Sequence, residues 1–303
     1  MPAQKKKMLI LAILGILRDH TDAEHRIRQA AIMQLLEEEY QLTATRKSVR
    51  KNLADLQEAG YPVVFRKGWY YVPLLESAEL DFLQQCVMGS NIPAGQREDL
   101  LRRLGTMGGP FYQAGATIGR VRPTNPQFLY TLETLQAAIA SGNQVSFKYG
   151  NYDVDKELHA RTEEDGKAKL YKINPYRLVT VNGRCYLICN VDKYDTLCHF
   201  RVDRIIDAKK LRAPAKPLEK IADAADSMET ERYVSEHPFM YTGKPVKTRL
   251  EVDREYINDV LDWFGMNVTF DKVTETTAQV VVVADAKSVE FWLRRYGEHA
   301  RLV

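Results

Sequence analysis

From Lys6 to His20 the apolar residues Met8, Ile10, Leu11, Ile13, Leu14 and Leu17 cover a wide arc at helical spacing, which predicts a first helix ended by Thr21-Asp22. A second helix, from about Arg28 to Tyr40, turns Ile32, Leu35 and Leu36 inward and Glu37-Glu38-Glu39 outward. After the turn Gln41-Leu42-Thr43 a third helix places Val49, Leu53 and Leu56 at i, i+4, i+7 on one face. Thr43 or Thr45 can cap its first turn, and Gly60 stops it at the C-cap. The pattern then shortens to the period of strands: Val63 to Phe65 and Trp69 to Val72 flank Arg66-Lys67-Gly68.

A helix opens at Ser77 and is broken between Asn91 and Gly95; a short one covers Glu98 to Leu104. The glycine- and proline-rich run GTMGGPFYQAGATIGRVRPTNP that follows reads as a linker, without the spacing of a phosphate-binding loop. Phe128 to Ser141 is helical and leads into the alternating strand Val145 to Tyr149. Tyr171 to Ile206 reads as three strands and two turns. Asn182-Gly183 is a tight hairpin turn, since both central residues take positive φ there, and Asp192 to Thr196 is a longer polar break. In the last run Cys198, Phe200 and Val202 share one face, and Leu197, His199 and Arg201 the other, so the meander exposes Arg201 and Arg204 near its end. Residues 212 to 243 carry proline and charge and read as a linker with one or two short helices. From Lys247 the order is strand, helix, two strands, helix and the final ARLV, a ferredoxin-like order with Trp263 and Trp292 in its core.

Length and composition fit several globular domains: 303 residues, 45% hydrophobic and 27% charged. No apolar run reaches the ~20 residues of a membrane span. The amino terminus, lysines before an apolar run, has the outline of a signal peptide, but charged residues follow directly and no small-residue cleavage site does, so it is read as a helix. Cys86, Cys185, Cys189 and Cys198 read as reduced cytosolic thiols. Cys185 and Cys189 share a strand face but lie about 13 Å apart at normal rise, too far for one zinc, and paired C-x-x-C spacing is missing. No local signature links Ser, His and Asp or Cys, His and Asn. The expectation is no metal, no cofactor and no enzymatic activity.

Net charge is only +3, so nucleic-acid binding must be argued from where charge is placed. Arg46, Lys47, Arg50 and Lys51 lie in the first two turns of the third helix, off its apolar arc, while Asp55 and Glu58 come later. Helix, helix-turn-helix and a hairpin with a basic tip (Arg66, Lys67) is the layout of a winged helix, whose third helix enters the major groove of duplex DNA. Those cations, with Thr45 and Ser48, are the candidate DNA contacts, to phosphates or to guanine edges. The competing reading is a solvated helix face.

Pro175-Tyr176, Asn182-Gly183-Arg184, Cys185-Tyr186-Leu187 and Phe200-Arg201-Val202-Asp203-Arg204-Ile205 together resemble the WYL domain of bacterial transcription regulators. One departure is plain: the tryptophan that gives the domain its first letter is Cys185 here. The resemblance implies a small, strongly bent β-barrel of the Sm/SH3 type, a C-terminal extension like the ferredoxin-like segment, and a ligand that is a nucleic-acid strand or a nucleotide. Relatives of this family run further after the last strand, so a final element is expected to be missing. Two guanidiniums, Arg201 and Arg204, suit an anionic ligand, helped by Tyr149, Tyr176, Arg177 and His199; alternatively Arg204 pairs with Asp203 or Asp207 and locks a turn.

The expected organisation is a winged helix-turn-helix at residues 1–74, a helical connector and linker at 75–127, the WYL domain at 128–212, a linker at 213–245 and a C-terminal α/β domain at 246–303. The expected function is a cytoplasmic, homodimeric transcription regulator that binds double-stranded operator DNA and senses a nucleic-acid-derived or other anionic effector. The alternative is an RNA- or single-stranded-DNA-binding adaptor working through its Sm-like barrel.

Overall fold

The computed structural model describes residues 3–113, 124–221 and 230–303. Part of the glycine-rich linker (114–123) and part of the second linker (222–229) lie outside the described residues. The chain is a mixed α/β protein with helices at its amino end and several sheets after them. It divides into two units: Met1–Ser90 with Ala94–Val121, and Asn91–Pro93 with Arg122–Val303.

In the first unit α1 (Ala3–His20), α2 (Gln29–Tyr40) and α3 (Arg46–Glu58) precede a hairpin of β1 (Val63–Phe65) and β2 (Trp69–Tyr71). Val49, Leu53 and Leu56 of α3 are buried with Ile32 and Leu36 of α2, as their spacing requires. On α1 the inward stripe is Leu9, Ala12, Ile13, Ile16 and Leu17, whereas Met8 and Leu11 point to solvent. The run is apolar nearly all round, so its periodicity could not select the buried arc. The hairpin is anchored to the chain before α2: Ile27 and Trp69 exchange backbone hydrogen bonds of 3.0 and 2.7 Å. Gly68 allows that approach, because a Cβ there would meet Arg26 Cβ at 2.9 Å and the Ile27 carbonyl oxygen at 3.3 Å. α4 (Ser77–Met88) and α5 (Ala94–Gly105) complete the unit; α4 starts on a capping box between Glu76 and Glu79.

The second unit opens with α6 (Phe128–Ala140) and a six-stranded sheet: β3 (Asn143–Tyr152), β4 (Leu158–Ala160), β5 (Leu170–Val181), β6 (Arg184–Val191), β7 (Leu197–Arg201) and β8 (Ile205–Pro214). The strand order is β4-β3-β5-β6-β7, and a 3₁₀ turn at Val202–Arg204 carries the chain into β8, which returns to pair with β3. The first and last long strands are thereby hydrogen-bonded to each other. Asn182 and Gly183 both take positive φ, 50° and 70°, in the β5–β6 turn. Phe147, Tyr149, Tyr171 and Phe200 pack edge-on or stacked on one side of these strands. A buried polar chain crosses three strands: Gln144 donates to Asn174 (3.0 Å), and Asn174 to Asn190 (3.1 Å).

Among its described residues, the stretch expected as a linker with one or two short helices carries a 3₁₀ turn at Leu218–Lys220 and one short helix. α7 (Thr230–Glu236) and the turn after it put Tyr233, Glu236, His237 and Met240 in buried positions, and Tyr233 and Met240 pack on Val179, Val181 and Ile188. The remainder is β9 (Pro245–Asp253), α8 (Ile257–Phe264), β10 (Thr269–Asp271), β11 (Thr277–Asp285), α9 (Ala286–Tyr296) and β12 (Ala300–Leu302). Its strands lie in the order β10-β11-β9-β12, every pair antiparallel. Trp292 is fully buried there, and Trp263 is half-buried against the same core.

Candidate functional site

The first candidate surface belongs to α3 and the hairpin. Thr45 is the N-cap of α3: its hydroxyl oxygen accepts the Ser48 amide at 3.2 Å. The helix ends at Glu58 with Ala59 as C-cap, one residue before the expected Gly60, which follows in the left-handed region at φ 82°. Because Val49, Leu53 and Leu56 fix the buried arc, Arg46, Lys47, Arg50 and Lys51 are exposed, and Ser48 is half-buried. Arg66 and Lys67 are exposed at the hairpin tip, with Lys67 at φ 62°. A groove of ≈ 760 Å³ runs between helix and hairpin, lined by Arg28, Arg46, Arg50, Phe65, Lys67 and Trp69 among others. Arg28 and Phe65 were not in the sequence-based set. Arg28 is the N-cap residue of α2, and Phe65, 61% exposed, lies against Trp69 at 5.0 Å between ring centroids. An exposed aromatic on a three-residue strand was the available signal. Arg26 braces the tip, donating to the Arg66 carbonyl at 3.0 Å.

The second candidate surface surrounds the 3₁₀ turn after β7. Here Arg201 is not exposed. Its Nε and Nη2 donate to the two oxygens of Asp203 at 3.0 and 2.6 Å, with side-chain exposures of 17% and 2%. Asn91 gives the same carboxylate a third donor at 2.8 Å. Asp207 is paired with Lys148 at 2.8 Å. Both acids that could have locked Arg204 thus serve other cations, and the buried Arg204 Nε has no hydrogen-bond partner among the described residues. The buried Tyr152 hydroxyl has none either, and burial, reinforced by the Asp203 charge, pushes its phenol above the ordinary range. Tyr152 was missed because it ends a strand whose register the sequence did not specify.

Of the four helper residues, Tyr149 alone joins the arginines: its hydroxyl oxygen accepts the Arg201 amide at 3.1 Å. Its ring is already taken, set edge-on to Phe200 at 4.8 Å and covered by Arg161 at 5.0 Å, so it is no open platform for a base. Tyr176 and His199 belong to a different cluster. Tyr176 donates to the Lys216 carbonyl at 2.8 Å and packs on the Val179–Met240 group. His199 Nδ1 lies 3.0 Å from the Met240 carbonyl and must donate to it, so Nε2 accepts the Tyr233 hydroxyl at 2.7 Å. Burial, with His237 nearby, drives His199 down to about 3, and the ring is neutral. Arg177 is exposed on β5, in register with Ile188. The six residues therefore do not form one pocket. A separate cavity of ≈ 290 Å³ has Leu197, His199, Arg232, Tyr233, His237 and Lys244 among its walls.

No helix among the described residues is long and apolar enough to cross a membrane. The WYL domain family matches residues 130–210, which takes in most of α6, all of β3 to β7 and the first part of β8. No curated protein matches the chain. Among solved structures the chain is similar to proteasome accessory factor B/C (PafBC) of Arthrobacter aurescens, at 15% identity and a TM-score of 0.29, over 97% of this chain and 45% of that one. The chain thus spans less than half the length of that protein. What the comparisons establish is a WYL domain in the second unit.

Proposed function

We propose that this chain is a DNA-binding transcription regulator whose WYL domain senses an anionic, nucleic-acid-derived ligand. In this reading the α1–α3 and hairpin unit is a winged helix-turn-helix, the β3–β8 set is an Sm/SH3-like barrel closed by β8 on β3, and the β9–β12 sheet with α8 and α9 is a ferredoxin-like extension. The observation that carries it is the exposed arc Arg46, Lys47, Arg50 and Lys51 beside a groove that reaches the basic hairpin tip. A helix of that polarity suits the major groove, and the tip cations suit flanking phosphates. The WYL domain at residues 130–210 supports the sensing half, with Arg204 and Tyr152 offering buried polar atoms that no described residue satisfies. The regulator binds its operator as a homodimer, since two half-sites multiply the affinity of one. It works in the cytoplasm, needs no cofactor and does no chemistry on its ligand.

DNA that copurifies with the full chain is sequenced, and the recovered duplex is titrated by fluorescence anisotropy against wild type and Lys47→Ala/Arg50→Ala. The expected result is at least about a tenfold loss in the variant, two phosphate or base contacts being removed. Equal affinity, or a preference for structured RNA over the duplex, overturns the proposal; the second result would favour an adaptor working through the barrel.

A further inference from the structure

Cys189 and Cys198 stand opposite each other on β6 and β7, and their Sγ atoms are 3.5 Å apart. Both are free thiols. Residues directly opposed in an antiparallel pair have Cα atoms about 4.5 or 5.5 Å apart, and both values fall within the span a disulfide tolerates. Closure therefore asks for side-chain rotation, not movement of the strands. The other two cysteines lack this geometry: Cys185 faces Thr180 across β5 and β6, and Cys86 is an exposed residue of α4. The two sulfurs are also unequal. Cys189 is fully buried, and burial together with its hydrogen bond to Cys198 raises its thiol. Cys198 is half-buried on β7, which ends the strand order of the sheet, and the hydrogen bond from Cys189 lowers its thiol below the ordinary range.

We propose that Cys189 and Cys198 are a reversible thiol–disulfide pair, closed by hydrogen peroxide or a related hydroperoxide and reopened by a dithiol. Cys198, the more accessible and more readily ionised sulfur, reacts first. Its thiolate attacks the peroxide: an S–O bond forms, the O–O bond breaks, and hydroxide leaves and takes up a proton to become water. Cys189 then loses its proton and attacks the Cys198 sulfur. The S–S bond forms, the S–O bond breaks, and the oxygen departs as a second water. Two thiols give up two electrons, and one peroxide becomes two waters. The bridge ties β7 to β6 beside Tyr176 and Tyr233, whose phenols are raised by burial first and by the neighbouring sulfurs second. Closure is therefore local to the cluster that seats residues 233–240 on the sheet.

The full-length chain is treated with hydrogen peroxide, blocked with N-ethylmaleimide and read by intact mass and peptide mapping. The expected product has lost the mass of two hydrogens, carries its bridge between the Cys189 and Cys198 peptides, and returns to the starting mass with dithiothreitol. Cys86→Ser retains the bridge, and Cys189→Ser leaves Cys198 as a sulfenic acid trapped by dimedone. Titration of wild type with oxidised glutathione gives the same bridge with no variant that could misfold. A bridge through Cys86 or Cys185, or full alkylation of both Cys189 and Cys198 after peroxide, overturns the proposal. The outcome does not depend on whether the chain binds DNA.

Discussion

Asp203 organises the residues after β7, and its burial makes Arg201 a structural partner before it is anything else. Its two oxygens take the Arg201 fork and the Asn91 amide at 2% side-chain exposure. Arg201→Ala strands a buried carboxylate, which costs about 3–5 kcal/mol when an ion-pair partner is lost. Urea unfolding should record that loss for Arg201→Ala and less than half of it for Arg201→Lys; a near-neutral alanine variant would place the pair in solvent. Ligand affinity is for the same reason better probed at Arg204, where Arg204→Gln removes a guanidinium whose Nε serves no acceptor among the described residues. His199 makes a second statement at this scale. Its ordinary value of 6.5 falls to about 3 on folding through burial, so the unfolded chain takes up the proton first as pH drops. The stability tied to the neutral ring is complete above pH 6.5 and drains away between there and about 3, at roughly 1.4 kcal/mol per pH unit. His199→Gln should flatten the decline in unfolding free energy between pH 6 and 4 by about one proton; parallel slopes in the two proteins would show that the ring is not held neutral.

The strands and helices owe their placement to local signals of unequal strength. Thr45 caps α3, and Thr45→Ala should cost about 1 kcal/mol while Thr45→Ser is nearly neutral; thermal melts of the full chain read both. Gly68→Ala should cost at least as much, because the new Cβ meets Arg26 Cβ at 2.9 Å beside backbone that already carries the Ile27–Trp69 hydrogen bonds. A melt unchanged from wild type would mean that the hairpin is free of residues 26 and 27. These elements were legible in the sequence wherever a polar face defined an apolar one. α3 shows its core face because four polar or charged residues, Arg50, Lys51, Asn52 and Asp55, interrupt Val49, Leu53 and Leu56, whereas α1 lacked that contrast and its buried arc had to come from packing. The Asn182-Gly183 turn announced β5 and β6 by its backbone demand alone. Register left no such mark. Nothing along the chain aligns Cys189 with Cys198, gives Asp203 to Arg201 instead of Arg204, or sends His199 toward Tyr233: the first follows from the register of β6 on β7, the second from the 3₁₀ turn after β7, and the third from a contact between residues 34 apart in sequence. Within 213–245 proline and charge likewise concealed the packing of Tyr233 and Met240, whose partners lie on β5 and β6.

At the scale of the whole molecule a net charge of +3 conceals a local excess. Between Arg46 and Lys67 there are six lysines and arginines against Asp55 and Glu58 alone. Duplex affinity should therefore be strongly salt-dependent although the protein as a whole is nearly neutral, because counterion release counts the phosphates that are contacted and not the total charge. If each of the six cations meets one phosphate, log K should fall against log[salt] with a slope near −5, at about 0.9 per contact. Lys51→Ala and Lys67→Ala should each remove about 1 from that slope and weaken all duplex sequences alike, whereas loss of a base-reading arginine at position 46 or 50 should weaken the preferred duplex more than a random one. Arg204→Gln, in the second unit, should leave the slope unchanged and abolish binding of short single-stranded oligonucleotides or nucleotides. A slope that shifts equally for Lys67→Ala and Arg204→Gln would mean that one continuous surface serves both ligands, and a slope near zero would remove α3 from the interface.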